Sequence, residues 1–185
     1  MKINQEFEVA VPVDTVWTFF QDVPSVAQCL PGAEITEDKG GGVYAGKVSV
    51  KLGPMSATFE GEATVTPDEG ARSATIKGKG VDRRGGSRGQ VQVVYRIEEA
   101  EGGGSKVIVD ADVMLSGAAA QFGRTGLINE MSNRLIGEFV ECLHAKLEAG
   151  TAEEAAEISA GEVRGISLFF ASLWAWIRRL FSRGR

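Results

Sequence analysis

The groups that could do chemistry in this chain are few and scattered. Its one histidine, His144, has no serine and acid arranged around it, so nucleophilic and general acid–base catalysis lack a visible apparatus. His144 lies one residue beside an apolar helical stripe and reads as a surface or boundary residue. Cys29 and Cys142 are far apart and form no C-x-x-C. They read as two reduced, structural thiols, and no metal constellation is visible. Asp110 and Asp112 share an outward strand face with Met114, the pattern of a solvated surface. Val81 to Arg88 concentrates Arg83, Arg84 and Arg88 around Gly85-Gly86. That segment reads as a hairpin turn or as a docking site for an acidic partner or lipid headgroups. It is not a phosphate loop, because a strand follows where a helix N-terminus would be needed.

The strongest signal is the chemistry of an interface. Residues 166–185 read I-S-L-F-F-A-S-L-W-A-W-I-R-R-L-F-S-R-G-R. Wound as a helix, Ile166, Phe169, Phe170, Leu173, Trp174, Trp176, Ile177, Leu180 and Phe181 fall on one arc of about 160°. Arg178, Arg179 and Arg183 fall opposite. Aromatic side chains on one face and arginines on the other suit a helix lying in the membrane interface. The apolar run before Arg178 covers only about 18 Å, against roughly 30 Å of hydrocarbon, which excludes spanning. Docking on a partner protein is the other reading.

Charge is divided accordingly. The tail carries four arginines and no acid, while the remainder holds 16 basic and 25 acidic residues, a balance of −9. An acidic body argues against nucleic-acid binding. A cationic tail is what an anionic cytoplasmic leaflet attracts. The start, M-K-I-N-Q-E-F-E, has no apolar signal core, which points to a cytoplasmic protein bound peripherally to the inner face of the membrane.

The elements that must position these groups follow from periodicity. Residues 2–11 alternate, with Ile3, Phe7, Val9 and Val11 on one side, which predicts a half-buried strand. Pro12 opens a helix through Val16, Trp17, Phe19 and Phe20, and a second turn covers Ser25 to Cys29. Six further strands are predicted at about 33–39, 43–52, 56–66, 72–80, 88–99 and 106–115, with glycine-rich turns between them. Short connections make them an antiparallel meander. From about 120 to 148 the period becomes helical, through Ile128, Met131, Leu135, Phe139, Leu143 and Leu147. Residues 149–165 read as a flexible acidic linker reaching about 20–24 Å. The predicted organisation is thus a domain at 1–148, a linker at 149–165 and an amphipathic helix at 166–185.

The inward side of the sheet is unusually small. It includes Ala57, Gly61, Ala63, Gly78, Gly80, Gly89 and Ala111. Small residues opposite a long helix leave unfilled volume, since a packed core interlocks large and small side chains. That glycines merely permit bulges and curvature is the competing reading. An apolar cavity would be lined by Phe7, Phe59, Ile76, Val91, Tyr95, Val113, Phe122, Met131, Leu135 and Phe139. Gln5, Tyr44 and Tyr95 are its polar candidates. The glycine- and alanine-rich stretch Ser116 to Gly126, with Phe122 and Arg124, is the candidate gate.

Two short elements carry a family resemblance. Cys29-Leu30-Pro31-Gly32-Ala33-Glu34 resembles the C-x-P-G-x-E element of the carbon monoxide dehydrogenase G-subunit family. Gly46 to Pro54 followed by Ala57-Thr58-Phe59-Glu60-Gly61 resembles that family's strand pair. The resemblance covers residues 1 to about 148. It implies a START-like, helix-grip α+β fold, in which an incurved antiparallel sheet of about seven strands wraps a long C-terminal helix around an apolar cavity. It implies a non-enzymatic accessory to a molybdenum- and flavin-containing carbon monoxide dehydrogenase or a related oxidoreductase, recruited to the cytoplasmic membrane. A respiratory dehydrogenase delivers electrons to quinones that barely leave the bilayer unaided. The expected cargo is therefore a quinone, menaquinone or ubiquinone, carried between membrane and enzyme. A pure membrane anchor or assembly factor without lipid transport is the alternative, and a cyclase or hydrolase lacks an acid–base pair.

Overall fold

The computed structural model describes residues 1–52, 55–124, 127–149 and 152–160. Seven strands are present: β1 (Lys2–Val9), β2 (Ala33–Gly40), β3 (Val43–Leu52), β4 (Met55–Asp68), β5 (Ser73–Asp82), β6 (Ser87–Glu99) and β7 (Ser105–Ser116). They form one sheet in the order β1-β7-β6-β5-β4-β3-β2, every pair antiparallel. Consecutive hairpins generate β2 to β7. The helices α1 (Val13–Gln21) and α2 (Val23–Gln28) carry the chain from β1 to the opposite edge. The strand and turn pattern of the sequence is reproduced to within two residues at nearly every boundary.

Both short helices have local causes. Pro12 precedes α1 with the fixed φ suited to a helix start, and Val13, Val16 and Phe20 recur on its buried face. Asp22 ends α1 and starts α2, its carboxylate accepting from the Ser25 backbone N–H at 3.3 Å. That bond satisfies one donor the helix cannot satisfy itself.

The long helix differs from expectation at its start. Gly117–Arg124 forms a 3₁₀ helix, and α3 runs Leu127–Glu148. Glycines 123 and 126 weaken an α-helix at this point. The linker expectation is also corrected. Residues Ala152–Glu157 form α4, the half-buried Ile158 packs on the core, and the Ala160 N–H donates to the Gln28 carbonyl at 2.8 Å. The sequence A-E-E-A-A-E is rich in good helix formers. Lys146 helps fix it: this side chain is 6% exposed, and its ammonium donates to Gln28 Oε1 at 2.7 Å and to the Ala155 carbonyl at 2.5 Å. Burial pulls its pKa down, opposed by the charge of Asp22. The tail helix expected at 166–185 lies outside the described residues.

The expectation of two reduced thiols is corrected as well. Cys29, which ends α2, is joined to Cys142 on α3 by a disulfide across 113 residues, and both are fully buried. Sequence spacing alone could not show that α2 and α3 meet. The bridge sits inside a cluster of Val9, Val16, Phe20, Tyr95, Ile97, Val107, Phe139 and Leu143. Its rings stack edge-on or tilted: Phe20 lies 4.8 Å from Tyr95 and 5.9 Å from Phe139, and Phe7 lies 5.9 Å from Phe139. These separations fall within the favourable range for aromatic pairs. The core therefore occupies one end of the sheet, where α1 and the C-terminal half of α3 cover it.

Candidate functional site

The other end of the sheet is not filled. A cavity of about 360 Å³ lies against β2 to β7, lined by Ile3, Ile35, Val48, Val50, Ala57, Phe59, Ala63, Val91, Val113, Leu115, Ala119 and Met131. Backbone and small residues complete it: Gly46, Gly61, Gly78, Gly80 and Gly89. The cause is legible in the register. Gly46 pairs with Gly61, Gly61 with Gly80, and Gly80 with Gly89, so four glycines run side by side across four strands. Ile35 and Leu115 close this row at its two ends.

Two of these glycines are required by close approach. A Cβ on Gly61 would stand 1.9 Å from the Lys79 carbonyl oxygen, and one on Gly46 2.5 Å from that of Glu34. Any larger residue would push the strands apart where the sheet bends. The same row makes room for large side chains: a Cβ on Gly80 would meet Phe59 Cβ at 3.1 Å, and one on Gly89 would meet Leu115 Cδ2 at 3.4 Å and the Phe59 ring at 3.5 Å. The glycines thus do both things weighed from the sequence. They bend the sheet, and they leave the space.

The candidate residues divide between the two ends. Phe59, Val91, Val113 and Met131 line the cavity. Phe139 and Tyr95 are buried in the packed core, and Phe7 and Ile76 pack against it, none of them in the cavity wall. Leu135 is half-buried outside the lining. Phe7 and Tyr95 share the inward face of the sheet with Phe59, but α1 and Phe139 of α3 cover their end and fill it. Phe122 falls in the 3₁₀ helix, and its side chain lies outside the described residues. The residues expected to bind the membrane, Phe169 to Phe181, also lie outside them.

The sequence places Leu115 on the inward register, but it passes over Ile35, Val48, Val50 and Ala119 as lining. Ile35 and Leu115 pair directly with Gly46 and Gly89 at the ends of the glycine row, which alternation along single strands does not expose; Ala119 lies on the 3₁₀ helix and has no such mark.

The wall is apolar because its polar neighbours point away. Glu34, Lys47, Glu62 and Lys79 border the cavity through the backbone, but they stand on the opposite register from Ile35, Val48, Ala63 and Gly80. On the outer face Lys47 pairs with Glu34 at 2.9 Å, and Lys39 pairs with Glu62. Among the polar candidates, Gln5 donates to Asn133 Oδ1 at 2.9 Å and is held on α3. Tyr95 is buried against Phe20, and burial pushes its hydroxyl up to about 12. Tyr44 alone of the three borders the cavity; burial first, then Asp38 and Asp22, raise its hydroxyl.

The 3₁₀ helix forms one wall. Ala119 is buried against Ile3, Phe59 and Leu115, and its N–H donates to Ser87 Oγ at 3.0 Å. The opposite rim is α2, through Ala27, and the disulfide at its end ties that rim to α3. Val48, 44% exposed although it lines the cavity, marks the side left open. Among the described residues no group of three or more His, Cys, Asp or Glu could hold a metal, and no helix is long and apolar enough to cross a membrane. The arrangement can bury an apolar guest, and no paired acid and base face the space.

Known proteins match this geometry. Residues 6–148 match the family model of the carbon monoxide dehydrogenase G-subunit, CoxG. A conserved protein from Geobacillus kaustophilus superposes with a TM-score of 0.66 at 17% identity, covering 76% of this chain and 91% of its own. A START superfamily protein from Mycobacterium smegmatis gives 0.53 at 14% identity, covering 80% and 97%. The Zhui aromatase/cyclase from Streptomyces sp. R1128 gives 0.51 at 16% identity, covering 77% and 95%. At these identities the likeness shows the fold alone: a START-like helix-grip, with the sheet curved around a C-terminal helix. A search of curated protein sequences finds no match.

Proposed function

The chain belongs to the CoxG family of carbon monoxide dehydrogenase G-subunits, and from that premise and the cavity we propose that it is a non-catalytic carrier of a hydrophobic ligand for an oxidoreductase of the carbon monoxide dehydrogenase type. The cargo in this reading is a respiratory quinone, menaquinone or ubiquinone. The partner is a molybdenum-containing dehydrogenase, and the place of action is the inner face of the cell membrane. One observation carries the reading: an apolar cavity of about 360 Å³ whose inward register holds no charged side chain. Ligand pockets commonly measure about 300–1,000 Å³. A space at the small end of that range takes a quinone ring and the first isoprene units, and a longer chain would trail through the side marked by Val48. Each CH₂ buried contributes about 0.8 kcal/mol, which suits a guest made mostly of hydrocarbon.

The tail has a defined part in this account. Its apolar arc and four arginines hold the domain at the bilayer surface, where a quinone can enter without crossing water. Cys29 and Cys142 are bridged and fully buried, so soluble reductants reach the bridge only when the domain opens. Some proteins of this fold are cyclases, so fold alone does not assign the role. The cavity's lack of a paired acid and base favours carriage over catalysis.

Extraction of purified full-length protein with organic solvent, followed by mass spectrometry, tests the proposal. Quinone is expected in amounts comparable to the protein. Protein that yields no quinone, and that takes none up from quinone-loaded vesicles, would contradict the reading and leave a bare anchor.

A further inference from the structure

The turn between β5 and β6 is a second feature of the hollow end. Arg83, Arg84 and Arg88 are all exposed there, and none has an ion-pair partner among the described residues. Elsewhere the unpaired cations Lys2, Lys51, Lys77 and Lys79 are spread over β1, β3 and β5, and six others are paired. Lys39, Lys47, Arg72, Arg96, Lys106 and Arg134 each face a carboxylate. In a body with nine more acids than bases outside the tail, three unpaired arginines on one turn stand out.

The turn is also held in place. Asp82 is 4% exposed, and its Oδ1 accepts from the N–H groups of Arg84 and Gly85, both at 3.0 Å. Buried Ser87 accepts from Ala119, tying the turn to the 3₁₀ helix. Asp82 is thus occupied by the backbone, and Glu60, across from Val81, is the nearest acid in register. Val81 and Met114, 41% and 60% exposed, add apolar surface on the same outer face beside Arg88 and Gln90.

We propose that this arginine turn is the domain's own contact with an anionic phospholipid surface, independent of the tail, and that it sets the hollow end against the bilayer. The inference rests on the carrier reading for its purpose. The strands that bear the turn also bear Gly80 and Gly89 of the cavity wall, so a cargo leaving the bilayer would meet the cavity at the docked end. Charge complementarity selects the occupant: the body is acidic overall, this turn gathers three unpaired arginines within six residues, and the flanking apolar side chains suit a lipid interface better than a hydrated acidic peptide.

The test uses full-length protein and the triple variant Arg83→Gln, Arg84→Gln, Arg88→Gln, with the tail intact in both. Binding is titrated on phosphatidylcholine vesicles with and without phosphatidylglycerol, and quinone uptake from the same vesicles is measured in parallel. Each arginine near an anionic surface strengthens binding by roughly fivefold, so the variant should lose about a hundredfold on the anionic vesicles. Its binding to neutral vesicles and its thermal midpoint should be unchanged. Equal binding of both proteins to anionic vesicles would overturn the inference, even if quinone uptake is normal. Loss of anionic binding in the variant, with no quinone uptake by either protein, would leave the docking surface standing and remove the carrier reading.

Discussion

The two ends of one sheet follow the same alternation and reach opposite outcomes. At one end Phe7, Phe20, Tyr95 and Phe139 interlock around the disulfide, and α1 covers them. At the other, Gly46, Gly61, Gly80 and Gly89 lie in a row, with Phe59 reaching over Gly80 and Gly89. Alternation tells which face of a strand turns inward. Whether that face is filled depends on side-chain size along the cross-strand row, and on where the covering helices land. The packed end carries the stability of the domain, and the hollow end is left free for a guest.

Substitutions can break this division, beginning at the packed end. Replacing Cys29 and Cys142 together by serine removes a cross-link spanning 113 residues. Chain entropy makes that worth roughly 4–5 kcal/mol, read as a fall in the denaturant midpoint. Phe139→Ala opens a void among Phe7, Phe20 and Leu143 and should cost about 3–5 kcal/mol in the same measurement. At the hollow end the same kind of change should behave differently. Ala57→Leu with Ala63→Leu adds side chains into existing space, so stability should move by less than about 1.5 kcal/mol, while quinone uptake falls at least tenfold. A loss of stability like that of Phe139→Ala would mean the hollow end was packed after all.

The last test is a pH dependence centred on Tyr95 at the packed end. Tyr95 has its hydroxyl raised from the ordinary 10.0 to about 12 by burial. The unfolded chain then ionises first, so stability is full below pH 10 and falls as pH rises from 10 toward 12. Tyr95→Phe should flatten that fall in alkaline denaturation curves, and the cavity variants should leave it unchanged.

Much of this architecture was legible in the chain. The glycine clusters at 40–42, 85–86 and 102–104 mark turns that the structure places between strands, with positive φ at Gly40, Gly41, Gly42, Gly86, Gly102 and Gly103. The small inward residues Gly61, Gly78 and Gly80 announced unfilled space. Its position was harder to read. Phe59 and Phe139 are alike as sequence features, and only the strand register and the landing of α1 separate a cavity wall from a core. The pairing of Cys29 with Cys142 depends on α2 meeting α3, a long-range fact with no local mark. The docking of α4 depends on a buried lysine that needs carbonyl and amide oxygens, which periodicity cannot foresee. The amphipathic arc of the tail is a feature of the sequence alone, and residues 166–185 lie outside the described residues.

The central claim is that the hollow end, and not the domain in general, holds a quinone. Native mass spectrometry of full-length protein equilibrated with menaquinone-loaded vesicles tests it most directly, with the Ala57→Leu, Ala63→Leu variant measured alongside. The account predicts a one-to-one quinone complex for the unaltered protein and bare protein for the filled variant. No quinone complex in either protein, or an equal complex in both, would contradict it.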